Sequence, residues 1–296
     1  MGAEPLQGER SAPSELVRLK QQAAPAALDG AAGRDETASP DEAAVPDEAA
    51  AQEGAQAPDR VFTGRPPWTL MYHSVDTVPE DPYLVTVTPE RFVRQMEWLR
   101  RRRMRGVSMS ELLLAQERGS ASGLVGLTFD DGYADFPREV LPVLLRYGFN
   151  ATAYIVAGRM GGHNAWDVDG PRRPLVTIAQ VRQLASAGVE IGSHSLSHRR
   201  MAGLSGEDLA LETRRSKELL EAVVDGPVTG FCFPYGASDE AAERAVGAAG
   251  YAYGVGICHQ HTASRWALPR CYVGERDGGL RLRAKQIRHT LRGWTC

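Results

Sequence analysis

Between Trp68 and Val273 the chain alternates short apolar runs with capped helical patterns, and this alternation restricts the fold more than any other feature. The runs cover residues 69–73, 124–129, 151–156, 189–193, 229–233, 252–255 and 268–273. Several lack polar alternation, as strands covered on both faces do. Helix signals lie between them. Thr88-Pro89 supplies an N-cap and an N1 proline ahead of Phe92, Met96 and Leu99 at helical spacing. Ser108 with Glu111, and Thr177 with Gln180, have capping-box spacing. Gly119, Gly148 and Gly188 stand where a glycine would end each helix. The repeated strand–helix order predicts an α/β fold, a parallel sheet of about seven strands closed or nearly closed into a (β/α) barrel. An open doubly wound sheet is the alternative.

Residues 1–60 read differently. They hold 16 Ala, no Phe, Trp or Tyr, and 12 acidic against 5 basic side chains. Without large apolar groups such a stretch cannot offset the entropy of ordering its backbone, which predicts a disordered acidic leader. Pro-Asp-Glu-Ala-Ala occurs twice, from Pro40 and from Pro46, as low-complexity usage. Residues 61–296 are then one catalytic-sized domain, large enough for a single core. The leader carries −7 and the remainder +4, and neither value calls for a nucleic-acid partner. The Arg-rich run from Arg100 to Arg105 ends a helical pattern, where cations suit the dipole. No run of 18 apolar residues exists, so no membrane-spanning helix is expected. The N-terminus lacks the basic start and apolar stretch of a secretory signal, which points to the cytoplasm unless export uses another route. Cys232, Cys258, Cys271 and Cys296 show no Cys-x-x-Cys spacing and read as reduced thiols.

In parallel barrels the working residues gather at the C-terminal ends of the strands. Here those ends are followed by His73-Ser74, by Asp130-Asp131-Gly132, by His194 and His198, and by Pro234-Tyr235-Gly236. Adjacent carboxylates leaving a strand point in different directions, so one can bind a metal while the other faces the metal's ligand. The plainer reading of Asp130-Asp131-Gly132 is an Asx-rich turn. Two histidines four apart face the same way if their segment is helical. With an aspartate from another strand they make three ligands, which leaves room for water and substrate.

Thr128-Phe129-Asp130-Asp131-Gly132, then His194-x-x-x-His198, then Pro234-Tyr235-Gly236, in that order, resembles the NodB-type polysaccharide deacetylases, carbohydrate esterase family 4. Met71-Tyr72-His73-Ser74-Val75 and Leu268-Pro269-Arg270 are similar to the branch acting on poly-β-1,6-N-acetylglucosamine. The resemblance implies a deformed (β/α) barrel, a divalent metal, usually zinc, and deacetylation of N-acetylated sugars. It implies Asp130 as catalytic base, Asp131, His194 and His198 as metal ligands, and the Tyr235 N–H as an oxyanion donor.

The chain departs from that pattern twice. Cys232-Phe233 stands where many members carry a base-orienting arginine, which the poly-N-acetylglucosamine branch also lacks. No late Leu-x-His acid motif is present, which leaves His73 as first candidate for the general acid, then His259 and His261, then His289. Three other readings stand beside this one: an iron oxygenase built on a 2-His-1-carboxylate triad, a deacetylase of a small intracellular amide or glycoside metabolite, and a sugar-binding pseudoenzyme without turnover.

Overall fold

The computed structural model of the chain describes residues 66–257 and 264–292. The leader and the candidate acids His259 and His261 lie outside the described residues, as do Cys258 and Cys296; Cys232 and Cys271 are both buried and form no disulfide with each other.

The strands are β1 (Thr69–Tyr72), β2 (Ser74–Val75), β3 (Thr86–Val87), β4 (Arg105–Val107), β5 (Leu124–Phe129), β6 (Thr152–Ile155), β7 (Glu190–Ser193), β8 (Gly230–Cys232), β9 (Tyr253–Val255) and β10 (Cys271–Tyr272). Seven of them form one curled sheet in the order β10-β1-β5-β6-β7-β8-β9, with β4 added alongside the start of β5. Every pairing is parallel. A single parallel bridge between Val255 and Leu268 brings the far edge against the segment leading into β10. The deformed barrel is thus the observed architecture. All seven expected runs contain a strand or this bridge. The sequence reading missed β4 and the two-residue pair β2–β3, which are too short to carry a periodic signal.

Among the described residues, eight α-helices cover the sheet: α1 (Pro89–Arg101), α2 (Met109–Glu117), α3 (Leu141–Tyr147), α4 (Ile178–Ser186), α5 (Gly206–Ala210), α6 (Ser216–Val224), α7 (Glu240–Ala248) and α8 (Gly279–Arg292). Thr88 caps α1 by accepting the Arg91 N–H, and Thr177 with Gln180 forms a reciprocal capping box on α4. Ser108 makes only the forward bond, to the Glu111 N–H. The Glu111 carboxylate turns away to Arg105 at 2.6 Å, so the expected box is half formed. Arg100 and Arg101 end α1, and Arg102 lies 4.5 Å over the Trp98 ring, in keeping with a solvated helix end.

Two apolar layers result. Outward-facing strand residues such as Leu70, Leu127, Ala153 and Phe231 pack under the helices. Tyr154, Cys232, Tyr253 and Leu268 form a second cluster that fills the lumen. Glycines make that filling possible: a Cβ on Gly192 would collide with the Tyr154 ring, and one on Gly230 with the Tyr253 ring. The tyrosine hydroxyls meet at 3.3 Å, and Tyr253 donates to Glu190 at 2.7 Å.

One long connection, between β6 and α4, folds back over the rim. Tyr133 bridges Leu175, and His163 bridges Pro174. Arg173 locks it. Its Nη1 donates to Thr86 at 2.8 Å, its Nη2 lies 3.4 Å from Asp135, and its guanidinium sits 4.5 Å over the Tyr133 ring. Asp135 also accepts from the Ser74 hydroxyl at 2.6 Å and the Val75 N–H at 3.1 Å. Burial still pushes its carboxyl up to about 6. Breaking such a pair leaves a buried charge uncompensated. Arg173→Ala is therefore expected to lower the free energy of urea unfolding by about 3 kcal/mol, with a smaller loss when Asp135→Ala is added. A single-variant loss below about 1 kcal/mol would mean that this network does not hold the connection.

Candidate active site and metal centre

The site stands one residue beyond the strands. Asp130 N–H continues the ladder to Tyr72 at 3.0 Å, and His194 N–H continues to Ile155 at 2.8 Å. Phe233 N–H does the same to Val255 at 3.0 Å. These bonds carry the β5, β7 and β8 motifs to one rim, as the strand-end reasoning anticipated.

Asp131, His194 and His198 converge there, all buried. Asp131 Oδ1 lies 3.2 Å from His194 Nε2 and 3.2 Å from His198 Nε2. The two rings stand nearly perpendicular, with centroids 4.9 Å apart. Their segment is not the helical turn on which the sequence reading based the common facing. Ser195 and His198 adopt left-handed φ of 65° and 68°, and the loop is held by side-chain acceptors instead of helical bonds. Glu212 accepts the Leu196 and Ser197 N–H groups, both at 2.9 Å, and also the Ser197 hydroxyl. Ser195 Oγ accepts the His198 N–H at 3.0 Å. Asp131 and Tyr235 are left-handed as well, at 72° and 58°. Four of the seven non-glycine described residues at positive φ thus belong to this site, each a backbone cost that the surroundings must hold in place.

The donor set fits a cation. His194 Nδ1 lies 2.9 Å from the Cys232 carbonyl, so that nitrogen carries the proton and Nε2 presents a lone pair toward Asp131. A carboxylate oxygen facing imidazole lone pairs is repulsive unless a proton or a metal lies between them. Burial opposes charge on both rings. For His194, Cys232 and Asp131 outweigh it and hold the pKa well above the ordinary value; for His198 burial wins and the pKa falls. Burial also works against the Asp131 carboxylate, but the two imidazoles beside it hold its pKa well below the usual range. Three side chains of this kind suit a divalent metal with an open coordination position.

Asp130 has a different neighbour. Arg270 grips both its oxygens, Nη1 to Oδ1 at 2.6 Å and Nη2 to Oδ2 at 2.7 Å, in a pair closed to solvent. Arg270 also donates to Thr128 Oγ1 at 3.0 Å and to the Gly256 carbonyl at 3.2 Å. Its Nη2 is 3.1 Å from the Cys232 sulfur. Burial alone would raise the Asp130 pKa, but the guanidinium lowers it, so the carboxylate stays ionised. Sequence reading noted Arg270 only within a resembling tripeptide and missed this pairing. The available signal was an arginine inside an apolar run bound for a covered strand, which demands a buried anion.

His73 lies at the same rim, half-buried, close enough for its charge to lower the pKa of both Asp130 and Asp131. Its Nδ1 is buried without a hydrogen-bond partner among the described residues. The Tyr235 ring, 53% exposed, packs edge-on against His198 at 4.8 Å. Trp166, which sequence reading did not select, stacks on His198 at 4.1 Å. His289 is removed from the candidates for the acid. It sits on α8 with Nε2 3.0 Å from the Pro66 carbonyl, before β1 and so at the opposite end of the barrel.

Comparisons with known proteins bear on the fold and on the family that the chain resembles. Residues 118–254 match the family described as polysaccharide deacetylase. YxkH of Bacillus subtilis (strain 168), a protein assigned to the polysaccharide deacetylases by its name, is 29% identical over 188 residues. That match covers 63% of this chain, which spans 62% of the YxkH length. The Streptococcus pyogenes deacetylase PplD, solved with acetate, superposes with a TM-score of 0.62 at 21% identity, over 74% of this chain and 97% of PplD. IcaB from Ammonifex degensii gives 0.60 at 20% identity, over 75% of this chain and 97% of IcaB. The likeness to these two structures is one of fold. A curled parallel sheet also removes the β-roll premise of the oxygenase reading. Residues 118–254 are therefore similar to the polysaccharide deacetylases, and the fold around them is that of the two solved structures.

Proposed function

We propose that the protein is a zinc-dependent hydrolase that removes acetyl groups from N-acetylated sugars of a polysaccharide or oligosaccharide. The observation that carries this reading is the juxtaposition of two differently partnered carboxylates, Asp131 on two histidines and Asp130 on Arg270. Asp131, His194 and His198 would hold the ion, which supplies Lewis acidity that lowers the pKa of water and polarises an acetamide carbonyl. Asp130, kept ionised, accepts the proton of the attacking water; its Oδ1 retains a lone pair beyond the one given to Arg270, whereas Oδ2 also faces the Cys232 thiol at 3.5 Å. The Tyr235 N–H donates to the oxygen that gains charge as the carbonyl carbon becomes tetrahedral. His73 returns a proton to the departing amine, and its unpartnered Nδ1 leaves the ring able to turn toward it. Trp166 and Tyr235 flank His198 with amphipathic rings that suit a sugar, apolar on one face and hydroxylated at its edge.

The metal part is tested by content and reversibility. Acetate release from chito-oligosaccharides should stop on chelation and return with zinc. His194→Ala should hold far less than the one ion per chain expected of the wild type. Full metal occupancy in that variant would refute the ligand set.

The acid is tested separately. His73→Gln should keep its zinc and its melting temperature while turnover drops about 10²-fold. Near-normal turnover there, with loss in His259→Gln or His261→Gln, would move the acid to the segment outside the described residues.

A further inference from the structure

One cavity lies away from the candidate metal site. It measures about 630 Å³ and opens between the stretch 76–88, the residues after β10, and one face of α8. Its charges are unevenly used. Each lining carboxylate already has a partner: Asp76 pairs with Arg138 at 3.3 Å, Asp81 accepts the Thr86 N–H at 2.8 Å, Glu275 accepts the Thr88 N–H at 2.8 Å, and Asp277 holds Lys285 at 2.7 Å. Arg276, Arg281 and Arg288 also line the cavity, are exposed, and make no ion pair or side-chain hydrogen bond with another described residue. Arg281 and Arg288 are seven apart on α8, two turns along one face. That helix carries four arginines and one lysine between Gly279 and Arg292, with no acidic residue to offset them. Leu84, 60% exposed, adds an apolar wall.

The sequence holds the complement. Residues 35–59 contain eight acidic and no basic side chains, including the pairs Asp35-Glu36, Asp41-Glu42 and Asp47-Glu48, with alanines and Val45 between them. The described chain begins at Pro66, whose carbonyl is bonded to His289 of the same helix. From His289 to Arg281 is about 12 Å along the helix. The six residues that separate Pro66 from Asp59 can span roughly 20–25 Å. Tethering at that distance gives an effective concentration in the millimolar range.

We propose that the acidic stretch 35–59 docks in cis against the arginine-bearing wall of this cleft, its carboxylates meeting Arg276, Arg281 and Arg288. The proposal goes beyond the deacetylase reading and does not depend on it. Contacts of this kind are weak singly, so they act through number and tethering, and salt screens them.

Cleavage of the full chain by a glutamate-specific protease tests it. At low ionic strength the bonds after Glu42 and Glu48 should be cut about fivefold more slowly in the wild type than in Arg281→Glu/Arg288→Glu. The difference should vanish near about 0.5 M salt. Melting temperature and zinc content report whether the variant folds. A second variant leaves the folded part untouched: Asp41→Asn/Glu42→Gln/Asp47→Asn/Glu48→Gln should speed amide exchange in 279–292 relative to wild type. Equal cleavage in the first pair, or equal exchange in the second, overturns the proposal. So does protection that rises with protein concentration, which means a second copy, or Arg281- and Arg288-dependent co-sedimentation with phosphatidylglycerol vesicles without protection, which means an anionic surface.

Discussion

A guanidinium and a carboxylate, both closed to solvent, meet at the centre of this molecule. Taking each ion out of water costs several kcal/mol, and only close bidentate geometry with further hydrogen bonds offsets it. Arg270 meets that requirement through Asp130, Thr128 and the Gly256 carbonyl. Because Arg270 precedes β10 and Asp130 follows β5, the pair ties the last strand of the sheet to the rim where the carboxylates stand. The lumen below is built to match. The guanidinium lies 5.6 Å from the Tyr154 ring centre, Tyr154 reaches Tyr253, and Tyr253 reaches Glu190, a polar line through the barrel that exists only because Gly192 and Gly230 leave room.

The three-donor cluster depends on a different kind of support. Asp131, Ser195, His198 and Tyr235 all sit in left-handed backbone, which side chains with a Cβ disfavour. Glu212 and Ser195 hold the histidine loop by accepting its N–H groups, and the Arg173–Asp135 network holds the connection that brings Trp166 against His198. Rigid placement of the donors is what gives such a site its chemistry, and here the stability of neighbouring elements supplies that rigidity.

Much of this was legible in the chain. The apolar runs marked the strands because covered parallel strands need no polar alternation, and Thr88 and Thr177 marked helix starts through capping chemistry that is local in sequence. The convergence of the 130–131 and 194–198 motifs followed from strand-end geometry alone. What escaped was non-local or unperiodic. The Arg270–Asp130 pair joins residues 140 apart, and no local pattern signals it. The helical premise for His194 and His198 failed because the loop takes its hydrogen bonds from Glu212, a residue one helix away. His289 was eliminated only by its bond to Pro66 at the other end of the barrel. Trp166 sits in a long connection with no regular pattern to place it.

If Arg270 works through Asp130, the two side chains form one unit, and their effects on turnover cannot add. The direct measurement is a double-mutant cycle on acetate release with zinc content recorded for each form: Asp130→Asn, Arg270→Gln and the double variant. The account predicts that each single change lowers kcat by a factor on the order of 10² or more while zinc is retained, and that the double variant is no slower than Asp130→Asn. Near wild-type turnover in Arg270→Gln, or strictly multiplicative losses in the double variant, would contradict it.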